Sequence, residues 1–217
     1  MSRRALEQVV VATANVGKLR EIRAALEGLG VQVIDRRQAG LEGEPEETGT
    51  CYLANALAKA RWALEQSGLP SLGEDSGLEV DALGGEPGVH SSRFLGSEAS
   101  DADRNEEILR RLGTRATSER GARYRCVVAL CWPQGGELVT SGACEGRIAT
   151  EPRGTAGFGY DPIFELPELG VTMAQLTLQE KSKVSHRGQA LRRLVELLRR
   201  LGPREAFAEQ GGTEEDG

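Results

Sequence analysis

Four stretches of the chain carry residues whose types and spacing suit chemistry. The first is Thr13-Ala14-Asn15-Val16-Gly17-Lys18, where the apolar run 8–13 gives way to Leu19, Ile22, Leu26 and Leu29 at helical spacing. A helix starting there offers unpaired backbone N–H groups and the positive end of its dipole. Gly17 lets an anion approach the backbone, and Lys18 adds a mobile positive charge. That combination suits a phosphate chain. It is no Walker A loop, because position 12 is Ala instead of Gly and Leu19 stands where a magnesium-binding hydroxyl would be. Taken alone, the stretch also reads as a plain strand-to-helix turn with a surface lysine.

The second is acidic: Glu46-Glu47 before a long helical segment, and Glu74-Asp75 at the predicted end of a strand. Magnesium takes oxygen ligands, usually one or two carboxylates plus phosphate oxygens. Strand ends in α/β folds are where such sites are built. The third stretch is Gly157-Phe158-Gly159-Tyr160-Asp161-Pro162, small residues around aromatics on which a flat base could stack. A glycine-rich loop carrying core aromatics has the same composition. The fourth is Lys181-Ser182-Lys183-Val184-Ser185-His186-Arg187. With Ser185 as N-cap of the last helix, His186 and Arg187 fall in its first turn, where cations oppose the helix dipole unless an anion or polar ligand compensates. Together these stretches describe phosphate, metal and base subsites of a nucleotide site.

The elements that position them read as α/β. Strands are predicted at 8–13 and 31–34 around a first helix, then a helix over 50–67 in which Asn55 and Lys59 share one face. A strand over 69–72 is expected to end in a polar turn at 73–77, with an alternating segment at 78–83. A helix at 100–112, capped by Ser100 or Asp101, precedes two long strands at 123–132 and 137–149 separated by a hairpin turn. The last helix spans 185–201, with Leu191, Leu194, Leu198 and Leu201 as its stripe. The expected organisation is one domain over 1–202 and a polar, acidic tail over 203–217.

The net charge of −6 argues against a sequence-independent nucleic-acid or anionic-membrane binder. No apolar run approaches the roughly 20 residues of a membrane span, and residues 1–8 lack the apolar core of a secretory signal, so the expected location is cytoplasmic. Cys51, Cys126, Cys131 and Cys144 form no CxxC pair and read as buried thiols; with two histidines only, any metal must be held by carboxylates. The chain has 23 arginines but four lysines, Lys18, Lys59, Lys181 and Lys183. A sequence that otherwise writes Arg keeps Lys where a compact ammonium is needed, or keeps it as a remnant.

Six motifs, in order, resemble the inosine/xanthosine triphosphate pyrophosphatase family: 12–18, 47–49, 55–60, 75–85, 157–162 and 185–187, within a resemblance running from Val9 to about Leu198. The resemblance implies a two-lobed α/β fold, a mixed sheet flanked by helices with the nucleotide in the cleft between lobes, and usually a homodimer. It implies Mg²⁺-dependent hydrolysis of ITP, dITP or XTP to the monophosphate and pyrophosphate. It assigns Thr13, Ala14, Asn15, Val16, Gly17 and Lys18 to the triphosphate, Lys59 to the phosphates, and Asp75 as general base. Glu47 and Asp75 become the metal carboxylates. Phe158 stacks on the purine, Ser76, Gly159, Tyr160 and Asp161 join the substrate set, and Lys181, His186 and Arg187 read the oxo groups of the base. A phosphate-releasing NTPase and a nucleotide-binding regulator without turnover are the alternatives.

Overall fold

The computed structural model describes residues 6–43, 45 and 49–205. Seven strands form one mixed sheet: β1 (Gln8–Val11), β2 (Gln32–Asp35), β3 (Ser71–Val80), β4 (Gly121–Trp132), β5 (Gly136–Ile148), β6 (Phe164–Leu166) and β7 (Val171–Thr172), in spatial order 2-1-3-4-5-6-7. β1 is parallel to both β2 and β3; the remaining pairs are antiparallel. The helices are α1 (Val16–Leu26), α2 (Tyr52–Ser67), α3 (Asp101–Leu112), α4 (Leu178–Val184) and α5 (His186–Glu205).

Successive strand residues face opposite sides of a sheet, and glycines let helices close on each side here. A Cβ at Gly73 would lie 2.1 Å from the Ala56 carbonyl of α2, and one at Gly142 would lie 2.2 Å from the His186 carbonyl of α5. So α2 covers one face and α5 the other. α1 joins α5 over a core that includes Val9, Ile22, Leu72, Val128, Leu191 and Leu194. A second core gathers Leu78, Ile108, Leu112, Tyr124, Phe164 and Met173 around the far halves of β3 to β5. Both of these cores are strung on the same long strands.

The expected strand at 69–72, turn at 73–77 and alternating segment at 78–83 are corrected. They form one ten-residue strand, paired with β4 residue by residue from Ser71↔Cys131 to Val80↔Ala122. Its glycines give the impression of a turn, but they answer close approach: a Cβ at Gly77 would lie 2.1 Å from the Gly88 carbonyl. Other expected elements stand within a few residues, including Ser100 as the N-cap of α3, with a capping box to Asp103. α5 continues past Pro203 to Glu205, and α4, β6 and β7 had no periodic signal long enough to announce them. Cys126, Cys131 and Cys144 are buried, but Cys51 is exposed at the N-cap of α2 instead of being a core thiol. Among the described residues no helix is long and apolar enough to cross a membrane.

Candidate active site

β1 pairs with β3 only at Ser71 and Leu72. Beyond Val11 the chain turns away, so the edge of β3 from Gly73 onward opens into a cleft instead of a ladder. The turn is built locally: the Thr13 hydroxyl accepts from Asn15 N at 3.2 Å, and Asn15 Oδ1 caps α1 by accepting from Lys18 N at 2.9 Å. These bonds aim the start of α1 and Lys18 at the open edge.

Glu74 and Asp75 are adjacent and therefore face opposite sides of the sheet. Asp75 points to the α2 side, where Lys59 Nζ donates to Oδ1 at 2.8 Å and Asn55 Nδ2 donates to Oδ2 at 3.0 Å. Burial raises its carboxyl above the ordinary aspartate range, against the pull of Lys59. Glu74 points to the α1/α5 side. Lys18 Nζ lies 2.8 Å from its Oε2, Arg187 lies 3.0 Å from its Oε1, and Cys126 Sγ donates to that oxygen at 3.3 Å. Burial works against the Glu74 charge, but Arg187 and Lys18 outweigh it and hold the carboxyl well below the usual range. Glu74 is thus committed to two cations on the face opposite Asp75.

Two cavities meet along the cleft. One, of about 170 Å³, is lined by Thr13, Ala14, Asn15, Lys18, Lys59, Glu74 and Asp75, with Arg36, Pro45 and Ser92. The other, of about 200 Å³, is lined by Ser76, Phe158, Gly159, Tyr160, Asp161, Lys181, His186 and Arg187, with Asp101, Arg104 and Tyr124. Asn15, Lys18 and Ser92 line both. Most sequence-predicted residues are therefore brought together. Val16 is 78% exposed and lines neither cavity. Gly17 serves by what it lacks, since a Cβ there would lie 2.3 Å from the Phe158 ring. Glu47 lies outside the described residues.

A buried ion network holds the second cavity in shape. Lys181 Nζ pairs with Asp161 and, at 2.9 Å, with Glu21; Arg187 pairs with Glu21 at 2.5 Å and donates to Ser76 Oγ at 2.9 Å. The anion that compensates cations at the start of α5 is therefore supplied by the protein, as Glu21 and Glu74. Glu21 escaped the sequence reading, although it lies one turn after Lys18 on the same helical face. Lys181 Nζ stands 4.6 Å from the centroid of the Phe158 ring, and Arg187 Cζ 5.4 Å. Tyr160 donates to the Ser91 carbonyl at 2.9 Å, and the Asp161 carboxylate accepts from Phe158 N at 2.9 Å, so both also brace the aromatic loop.

His186 is not a cation. Burial first, then the neighbouring Arg187 charge, lowers its pKa well below the ordinary value. The neutral ring stacks on Tyr124 at 4.4 Å, and its buried Nδ1 has no partner among the described residues. The sign of the resulting pH effect is fixed. The unfolded chain binds a proton at this residue below about pH 6.5 and the folded one does not, so stability is complete above that pH and is lost on acidification. We expect this residue to contribute a fall of about 1.4 kcal/mol per pH unit below that point. His186→Gln should remove that part of the slope in urea unfolding between pH 5 and 7.5; an unaltered slope would assign the proton uptake elsewhere.

Among the described residues no group of three His, Cys, Asp or Glu side chains gathers as a metal cluster. The oxygen donors beside Asp75 nevertheless fit a hard cation completed by phosphate. With Asn55 Nδ2 bound to Asp75, its Oδ1 is left buried and without a partner among the described residues. A Cβ at Gly49 would sit 2.2 Å from that oxygen, so the backbone at Gly49 packs directly against it.

The sequence pattern of the Ham1 family matches residues 9–197. The dITP/XTP pyrophosphatase of Geobacter sulfurreducens is 48% identical over 186 residues, covering 86% of this chain and 94% of that protein. The dITP/XTP pyrophosphatase of Yersinia pseudotuberculosis is 46% identical over 198 residues, covering 89% and 99% respectively. Among solved structures, a HAM1 protein from Coxiella burnetii superposes with a TM-score of 0.80 at 43% identity, covering 89% of this chain and 98% of that one.

Proposed function

The chain belongs to the Ham1 family, and on that premise we propose that it hydrolyses deaminated purine nucleoside triphosphates (ITP, dITP and XTP) to the monophosphate and pyrophosphate. The observation that carries the reading is the pair of joined cavities. One holds two lysines and Asp75, and the other ends in Phe158, Lys181, His186 and Arg187. A triphosphate and a flat base need those two environments side by side.

In this reading the start of α1, Lys18 and Lys59 neutralise and orient the triphosphate. Asp75 orients a water for attack at the α-phosphorus and takes its proton. The burial that raises its basicity suits that task. Asp75, Asn55 and Glu47 would hold Mg²⁺, which supplies Lewis-acid charge neutralisation at the phosphates when bound. The Glu21 and Glu74 network fixes Lys181 and Arg187 so that their N–H donors face the 6-position of the base. A 6-oxo group accepts from them. The 6-amino group of adenine would leave them unpaired, a mismatch of the kind that gives roughly 10⁴-fold rejection. We further propose a cytoplasmic homodimer, in keeping with the family resemblance and the absence of a membrane-spanning helix among the described residues.

The test supplies ITP, XTP, GTP and ATP with Mg²⁺ and measures pyrophosphate and phosphate separately. Pyrophosphate from ITP and XTP, with ATP at least about 10³-fold slower, is the expected result. Release of phosphate, or binding without turnover, would replace this reading with one of its two alternatives.

A further inference from the structure

The direction of the Phe158 ring depends on the two planar peptides that flank the residue. Each is pinned by one carboxylate. On the N-terminal side, Phe158 N donates to Asp161 Oδ2 at 2.9 Å. On the C-terminal side, Gly159 N donates to Asp101 Oδ2 at 2.7 Å. The neighbours of Phe158 are Gly157 and Gly159, with φ of 78° and 62°. Neither restricts the backbone by its own side chain, so the conformation at Phe158 relies on these outside partners.

Asp161 belongs to the loop it braces, but Asp101 comes from 58 residues earlier, at the first position of α3. One turn further along the same face of α3, Asn105 Nδ2 donates to the Gly159 carbonyl at 3.0 Å. The helix therefore grips Gly159 by both its N–H and its C=O. α3 is itself well anchored: Ile108 and Leu112 are buried in the second core, and Arg104 donates to the carbonyls of Phe94 and Gly96 at 2.9 and 3.1 Å. The other Asp101 oxygen, Oδ1, lies 3.4 Å from Arg104 Nη1, which orients the carboxylate toward Gly159. The loop that carries the ring is thus tied to a packed helix.

We propose that Asp101 is a positioning residue for base recognition, fixing the peptide after Phe158 and so holding the ring where a purine stacks. This rests on the nucleotide-site reading above and adds to it a determinant outside the four stretches that carry the chemistry. Asp101 acts through Phe158, so its removal weakens a ligand that has a base and spares one that has only phosphates.

The experiment titrates IMP and, separately, inorganic pyrophosphate into the full chain in Mg²⁺ buffer by calorimetry. The proteins are wild type, Asp101→Ala, Asp101→Asn, Phe158→Leu and the double variant Asp101→Ala/Phe158→Leu. The Ser100–Asp103 capping box remains in all of them, so α3 keeps its start. Asp101→Ala should weaken IMP by at least about fivefold and leave pyrophosphate within a factor of about two. Asp101→Asn keeps an acceptor for Gly159 N and should recover most of the loss. With Phe158→Leu already present, Asp101→Ala should cost IMP no more than a further factor of about two, because its effect passes through the ring. IMP affinity unchanged in Asp101→Ala or in Phe158→Leu overturns the role of Asp101 and leaves the nucleotide site standing. So does a similar loss of both ligands, an Asn variant as weak as the Ala variant, or the full Asp101→Ala loss in the Phe158→Leu background. A wild type that binds neither ligand overturns the nucleotide-site reading and this inference together.

Discussion

Asp75→Asn should remain folded and release pyrophosphate from ITP at least about 10²-fold more slowly, the scale of losing a general base. The substitution is nearly isosteric, and its effect on folding is a balance of two opposed changes. Burial disfavours the ionised carboxylate, so neutralising it relieves a cost. Lys59, only 9% exposed, meanwhile loses the counter-charge 2.8 Å away. Because the changes oppose, thermal stability should move far less than turnover. Asn55 can still hydrogen-bond the amide oxygen, so the side chain stays in place without a proton acceptor of carboxylate strength. Circular dichroism melting and single-turnover pyrophosphate release on the same preparation separate the two effects. A folded variant with near-normal turnover would remove Asp75 from the chemistry.

How much of this was legible beforehand depends on whether a residue's role was local or came from across the fold. The turn at 13–18 was readable because strand, cap, glycine and lysine are consecutive and each acts through its neighbours. Asn55 and Lys59 were readable as one face of a helix, and that face does meet Asp75. β3 was misread because Gly73 and Gly77 are set by Ala56 and Gly88, distant in sequence, and composition alone makes such a strand look like a turn. The separation of Glu74 from Asp75 follows from strand periodicity once 71–80 is one strand. Reading the pair as turn residues hid it.

The lysine count carried real information. Lys18, Lys59 and Lys181 line the two cavities, and each pairs with a carboxylate, whereas Lys183 lines neither cavity and is exposed. Their partners Glu21 and Glu74 were not legible as such. An acid one turn along α1 and an acid in a strand become a network only when α5 delivers Arg187 between them. Arg187, 2% exposed, bonds both. The charge mismatch at the start of α5 is visible in the sequence, but the carboxylates that compensate it sit 166 and 113 residues away in the chain.

That network makes Glu74→Gln the substitution with the largest expected effect on stability. The change keeps volume and removes one charge from a fully buried position, leaving Lys18 and Arg187 to share less negative charge than they hold now. Breaking a buried pair by deleting one partner typically costs about 3–5 kcal/mol, because the remaining ion has no water to return to. For a chain of this size that corresponds to a fall of about 6–20 °C in melting temperature. The pH dependence distinguishes this cause from a packing fault. The folded Glu74 carboxyl lies well below its ordinary range once Arg187 and Lys18 overcome the effect of burial. Its stabilisation is therefore complete above the unfolded-state value near 4.3 and is lost as pH falls toward the depressed folded value. The gap between wild type and Glu74→Gln should accordingly be widest at neutral pH and narrow steadily below about pH 4.3. A second substitution sharpens the point: with Arg187→Met in the same chain, the excess positive charge is gone, and the double variant should be more stable than the sum of the two single losses predicts. Additive losses, or a gap that stays constant with pH, would mean that Glu74 contributes by shape and not by charge.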